Sequence, residues 1–220
     1  KKIMGNRRAG AVPLAFVRTY GCQQNTADSE KIKGLLAEMG FSFTGDAGQA
    51  DFILFNTCAV RGHAENRVFG NVGALKGLAR RRPSVVIAVC GCMMEEEEAS
   101  DHIRRKFPFV NLVFGTHVLH RFPELLWKTL TAGRVFERGD DREDAEPVEG
   151  LPVRRDGKIR AWLPIMAGCD NFCSYCIVPY VRGRERSRRP EAVLREYQSI
   201  VDGGYKDITL LGQNVNSYGK

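Results

Sequence analysis

Two kinds of hydrophobic pattern alternate along the first 133 residues. Short, mostly apolar runs occur at Pro13-Leu14-Ala15-Phe16-Val17-Arg18-Thr19, Phe52-Ile53-Leu54-Phe55-Asn56 and Val85-Val86-Ile87-Ala88-Val89. Continuous apolar runs of this length suit strands buried on both faces of a parallel sheet. After each run, apolar residues return at helical spacing. Ile32, Leu35, Leu36 and Met39 predict a helix capped by Thr26 or Asp28 and stopped at Gly40. Ala64, Val68, Val72, Leu75 and Leu78 predict a second, broken by Pro83. A third opens with Glu95-Glu96-Glu97-Glu98, a carboxylate run expected to face solvent at a helix N-terminus. Leu112-Val113-Phe114 reads as a last short strand, and residues 122–132 as a closing helix ended by Gly133. Alternating strands and helices with short connections predict an α/β fold, a doubly wound parallel-sheet domain.

Residues 1–12 read as a basic, flexible leader, and 13–133 as the first domain. Across 134–158 the periodicity dissolves into Glu137, Asp140, Asp141, Glu143, Asp144, Glu146 and Glu149 with Pro147, Gly150 and Pro152, an acidic connection between domains. The pattern resumes over 159–220 with a strand at 162–166, a helix from Pro190 to Asp202 and a strand at Ile208-Thr209-Leu210-Leu211, together one βαβ unit.

Between that strand and helix lies Gly168-Cys169-Asp170-Asn171-Phe172-Cys173-Ser174-Tyr175-Cys176. Thiolates are soft ligands that suit zinc or iron–sulfur clusters. A structural zinc site wants four closed ligands, whereas three cysteines on one loop can occupy three corners of a cubane cluster and leave one iron open. Three buried thiols or a partial zinc site are the alternatives. A second set follows from the fold. Cys22, Cys58 and Cys92 each lie shortly beyond a predicted strand and before a predicted helix, on the rim where ligands of doubly wound sheets gather. Helix N-termini there favour thiolates.

Seven cysteines with no apolar leader segment read as ligands in a reducing, cytoplasmic setting rather than as disulfides. No apolar stretch approaches the ~20 residues of a membrane span, so no membrane partner is expected. Of the net charge of +7, the last 70 residues hold 12 Lys and Arg against 7 Asp and Glu. A basic excess beside a metal loop suits a polyanion such as RNA, although a solvated surface has the same composition. Arg182, Arg184, Arg186 and Arg188 are the candidate RNA contacts, because the guanidinium fork pairs well with phosphate.

The cysteine loop resembles that of radical S-adenosylmethionine enzymes, with Tyr175 at the aromatic position before the third cysteine. Taken with Tyr20-Gly21-Cys22-Gln23-Gln24-Asn25, Asn56-Thr57-Cys58-Ala59-Val60-Arg61 and Gly91-Cys92-Met93, the chain resembles the methylthiotransferase family. Leu210-Leu211-Gly212-Gln213-Asn214-Val215-Asn216-Ser217-Tyr218 is similar to the branch that acts at C2 of N6-isopentenyladenosine beside the tRNA anticodon. Gln24, Gly62 and Met94-Glu95 depart from the family's usual residues without removing a ligand. The resemblance implies that 159–220 holds the first β/α units of an incomplete radical SAM partial barrel, with the C-terminal RNA-binding domain absent. It implies two 4Fe-4S clusters: one on Cys169, Cys173 and Cys176 that cleaves S-adenosylmethionine reductively, and one on Cys22, Cys58 and Cys92 that carries the sulfur to be transferred. It further implies cofactor contacts from Tyr175, Gly212 and Gln213. The implied partners are the tRNA anticodon stem-loop, a reductant such as flavodoxin or ferredoxin, and a sulfur donor. Other substrates within the family are threonylcarbamoyladenosine in tRNA and a ribosomal-protein aspartate. From another class, the alternative is a non-catalytic iron–sulfur module for electron transfer or RNA binding, though electron-transfer clusters normally have four cysteine ligands.

Cys90 reads as a small core residue rather than a fourth ligand. His63, His102, His117 and His120 fall in no ligand spacing and read as surface or satisfied core histidines.

Overall fold

The computed structural model describes residues 11–59, 62–139 and 147–220, with the side chains of 62–66 outside that description. Expectations for most of the leader, residues 60–61, His63 and the centre of the acidic connection therefore lie outside the described residues.

The N-terminal part is built from β1 (Leu14–Tyr20), α1 (Gln23–Glu38), β2 (Ser42–Phe43), β3 (Phe52–Thr57), α2 (Gly62–Ala74), α3 (Lys76–Arg81), β4 (Val86–Gly91), α4 (Glu97–Lys106), β5 (Leu112–Phe114), α5 (Phe122–Ala132) and β6 (Val135–Glu137). The strands form one sheet in the order β2-β1-β3-β4-β5-β6. Every pairing in it is parallel. All residues of β3 and β4 are buried because helices cover both faces. Alternate side chains divide between two cores. Phe52, Leu54, Ala88 and Cys90 pack with Ile32 and Leu36 of α1 and Phe122 and Leu125 of α5. Ile53, Phe55, Ile87 and Val89 pack with Val68 and Val72 of α2 and Ile103 of α4. Full burial of one such Leu or Phe contributes ~1.5–3 kcal/mol.

The doubly wound expectation holds. From β1 the chain moves outward to β2 and then returns to the other side as β3, so the strand order reverses between β1 and β3. The crevice at such a reversal is where open α/β sheets receive ligands. Cys22 follows β1 and Cys58 follows β3.

Several local expectations are corrected. Helix α1 begins at Gln23 rather than near Thr26 or Asp28, with Cys22 at the N-cap in extended geometry (φ −87°, ψ 179°). Asp28 is thereby a buried residue inside the helix. Strand β4 runs on through Gly91, so Cys90 lies within the strand. A 3-10 turn over Cys92–Glu95 precedes α4 and takes Glu95 out of the helix's first turn. The edge strands β2 and β6, two and three residues long, are too short to leave a periodic signal.

The second part contains β7 (Arg160–Pro164), β8 (Met166–Ala167), α6 (Val178–Arg182), β9 (Arg186–Ser187), α7 (Pro190–Asp202) and β10 (Asp207–Leu211). β7 and β10 pair in parallel across α7, the expected βαβ unit. The strand expected at 162–166 is divided into β7 and the short β8, which pairs antiparallel with β9. That pairing brings together the two ends of the cysteine loop. The preceding segment runs beside α1, with Arg154 N–H donating to Glu30 O at 2.9 Å and Lys33 pairing with Asp156 at 2.6 Å.

Candidate functional site

The sequence places Cys22, Cys58 and Cys92 on neighbouring strand ends, and the structure brings their side chains together. The Cys58 side chain hydrogen-bonds those of both Cys22 and Cys92. Asn25, in the first turn of α1, organises the floor. Its Oδ1 accepts from Cys22 Sγ at 3.3 Å, and its Nδ2 donates to Asn56 Oδ1 at 3.1 Å and Thr57 O at 3.0 Å, with Cys92 Sγ at 3.8 Å. Asn56 Nδ2 donates in turn to Asn25 O at 2.8 Å and Ser29 Oγ at 2.9 Å. Sequence reasoning gave neither asparagine a role. The available signal was a polar residue closing an otherwise apolar strand, since a buried amide must find partners.

The surroundings favour thiolates. The Cys22 thiol falls to about 5, chiefly through the Cys58 hydrogen bond, against burial and with help from Asn25 and Arg182. Cys92 falls to about 7, again chiefly through Cys58 and against burial, with the Arg182 charge assisting. Cys90 behaves oppositely: burial pushes its thiol well up, as for an inert core cysteine.

On the second loop, Cys169 is buried, Cys176 half-buried and Cys173 exposed. Cys169 N–H donates to Gly183 O at 3.2 Å, and Cys176 N–H to Cys173 O at 2.9 Å. Phe172, at the loop's turn, adopts φ 45°, sparsely populated for a non-glycine residue. Its ring meets Tyr180 edge-on at 5.9 Å, and Arg184 lies 5.4 Å from its centre.

One cavity of about 300 Å³ joins the two sets: Cys22, Cys58, Cys92, Cys169 and Cys176 line it, with Gly212 and Gln213 from the end of β10. Gln24 lines it as well, and among the described residues the buried Oε1 atoms of Gln24 and Gln213 have no hydrogen-bond partner. Cys173 does not line it, nor does Tyr175, which is 90% exposed.

Among the described residues, no three His, Cys, Asp or Glu side chains are placed to hold a single metal ion. A cubane asks for something different, since each of its thiolate ligands takes a separate iron. Three converging thiols, two of them acidified, are a donor set that fits a cluster at Cys22, Cys58 and Cys92. At the second set, Cys169 and Cys176 face the same space, and Cys173 lies on the same loop.

The expected row of RNA-facing arginines is corrected in two places. Arg182 is buried, donating from Nη2 to Asp28 Oδ2 at 2.8 Å and from Nε to Cys92 Sγ at 3.2 Å. Burial works to lower its pKa, but the charges of Asp28 and Cys92 more than reverse this. Arg188 is spent on Glu149, Glu196 at 2.7 Å and Pro164 O at 2.6 Å. A guanidinium saturated by carboxylates is not offered to phosphate. Arg184 is exposed and 3.6 Å from Asp170, and Arg186 Nη2 donates to Arg182 O at 3.2 Å.

Glu95 corrects the solvated carboxylate run. Its side chain is 4% exposed and accepts from His117 N–H at 3.1 Å. Burial raises its pKa. His102 is exposed and stacks on Phe69 at 4.3 Å, a surface role.

Among the described residues, no helix is long and apolar enough to cross a membrane. Residues 15–115 match the model of the family described as "Uncharacterized protein family UPF0004", and 163–220 that of the radical SAM superfamily. A tRNA-2-methylthio-N(6)-dimethylallyladenosine synthase of Clostridium beijerinckii is 53% identical over 207 residues, 94% of this chain and 45% of that protein. The synthase of the same name from a Thermoanaerobacter species is 52% identical over 205 residues, 93% of this chain and 43% of its own. The chain thus spans less than half the length of these curated relatives. In fold it is similar to the radical S-adenosylmethionine methyltransferase TsrM of Kitasatospora setae, with a TM-score of 0.58 at 10% identity over 93% of this chain and 48% of that one. With a UPF0004 match on the sheet domain and a radical SAM match on the βαβ unit, the chain is similar in sequence to the tRNA-2-methylthio-N(6)-dimethylallyladenosine synthases over nearly all of its own length.

Proposed function

We propose that this chain carries the two cluster sites of a radical SAM methylthiotransferase, one that converts N6-isopentenyladenosine beside the tRNA anticodon to its 2-methylthio form. The observation that carries the reading is the shared cavity: cysteines separated by more than 70 residues in sequence meet around one space. Cys22, Cys58 and Cys92 would hold one 4Fe-4S cluster, and Cys169, Cys173 and Cys176 the other, with S-adenosylmethionine at its open corner. When bound, these groups supply the reducing electron, the radical and the methylthio group. The chain's own residues position and enclose them. The unpartnered Gln213 Oε1 accepts a hydrogen bond from a cationic amine such as the methionine end of S-adenosylmethionine. Val178, Val181 and Leu211 exclude water from the cavity wall. Arg184 and Arg186 remain as contacts for the anticodon stem-loop. A reductant of the flavodoxin or ferredoxin type and a sulfur donor complete the partners. All seven cysteines are free of disulfides, which suits the reducing cytoplasm where this chemistry would operate. On this reading, 13–133 and 159–220 are the two working domains.

The test is mass spectrometry of digested tRNA after reaction with the protein extended to the length of its relatives. 2-Methylthio-N6-isopentenyladenosine should form, and should vanish when either cysteine set is replaced by Ala. Methylthiolation of threonylcarbamoyladenosine alone would move the substrate. No methylthio product on any tRNA would sink the reading.

A further inference from the structure

Arg182 leaves α6 six residues beyond Cys176 and reaches across to the sheet domain. Its guanidinium is buried, and a buried charge is tolerated only with full partners. It has two of unlike kind: the Asp28 carboxylate at 2.8 Å and the Cys92 sulfur at 3.2 Å. The helix carrying it is held to the same domain by Thr116 Oγ1, which donates to Val181 O at 3.2 Å.

We propose that Arg182 is a positioning residue that holds the Cys92 sulfur through an N–H···S hydrogen bond and so sets the reduction potential of the cluster on Cys22, Cys58 and Cys92. The proposal rests on the cluster assignment above. An N–H donor and a positive charge at a ligand sulfur stabilise the added electron of the reduced cluster, and so raise its potential. Asp28 opposes this by placing a carboxylate behind the guanidinium. Arginine suits the task because its rigid fork aims separate donors at carboxylate and sulfur at once; a lysine ammonium is a compact point charge without that fork. Because Arg182 belongs to the loop–helix unit of Cys169–Cys176, the potential of one cluster depends on the docking of the domain that carries the other.

The test uses the 220-residue chain with Cys169, Cys173 and Cys176 replaced by Ala, reconstituted anaerobically so that only the first cluster is read. Its midpoint potential is titrated with dithionite and followed by electron paramagnetic resonance. Arg182→Gln should lower the midpoint, changing the reduced-to-oxidised ratio at fixed potential about tenfold, or ~59 mV for one electron. Asp28→Asn should raise it, because the guanidinium then acts on the sulfur without its counter-charge. A merely loosened interface would shift both variants in the same direction. Should Arg182→Gln fail to load iron, Asp28→Asn decides alone: a rise supports the proposal and an unchanged midpoint overturns it. Iron-loaded variants with unchanged or equally shifted midpoints also overturn it. A parent chain that takes up no iron would overturn the cluster assignment itself, a separate result.

Discussion

Gly21 lies against Cys58: a methyl group added at Gly21 would stand 2.8 Å from Cys58 Cβ and 2.7 Å from Asn25 Oδ1. Real Cβ atoms do not approach side chains this closely, so Gly21→Ala must displace the residues that align the first cysteine set. The expected result is a loss of about 1–3 kcal/mol in stability, with the first cluster's iron lost and the second's retained. Full iron content in a Gly21→Ala protein of unchanged stability would show that the site tolerates movement.

Anaerobic reconstitution should load about eight irons per chain, the sum of two four-iron clusters. Replacement of Cys22, Cys58 and Cys92 by Ala should halve that number, and so should replacement of Cys169, Cys173 and Cys176. Tightly bound zinc without iron absorbance would refute both assignments.

Cys90 is 1% exposed and part of the sheet's core, two residues before Cys92. Cys90→Ala should leave the iron content unchanged while lowering stability by on the order of 1 kcal/mol, the usual effect of removing a buried atom. A four-iron loss would identify Cys90 as a ligand.

Gln213→Ala removes the unpartnered amide oxygen at the cavity. A hydrogen bond to a charged group contributes about 1.5–3 kcal/mol. The concentration of S-adenosylmethionine needed to perturb the second cluster's paramagnetic spectrum should therefore rise about tenfold or more. An unchanged concentration dependence would place the amine elsewhere.

Glu30 is 1% exposed, and burial raises its pKa above the ordinary 4.5. A carboxyl whose folded pKa is raised contributes stability below its unfolded value, and loses it as pH rises through the folded one. Glu30→Gln keeps an oxygen to accept from Asp156 N–H, the bond seen at 3.0 Å, and cannot ionise. Urea midpoints of the iron-free protein should show wild type losing ground to Glu30→Gln as pH rises from about 4.5 towards neutrality. A pH-independent difference would contradict the raised pKa.

Much of the fold was legible because it is encoded locally. The apolar run at Phe52-Ile53-Leu54-Phe55 needs no distant partner to announce a buried strand, and Pro190 marks a helix start wherever it is placed. The cysteine spacings were legible for the same reason: strand ends followed by helices fall on one rim of a doubly wound sheet. The sequence alone therefore determined the fold class, the two candidate cysteine sets and the resemblance they carry. What it could not determine was which groups meet across the domains. Arg182 and Asp28 are 154 residues apart, and nothing in either neighbourhood distinguishes a solvated arginine from one buried against a thiol. Only the docking of α6 on the sheet domain removes water from that guanidinium, leaving carboxylate and sulfur as its partners. The same docking decides that Cys169 and Cys176 line one cavity with Cys92 while Cys173 does not, because orientation within a loop follows from what the loop rests on.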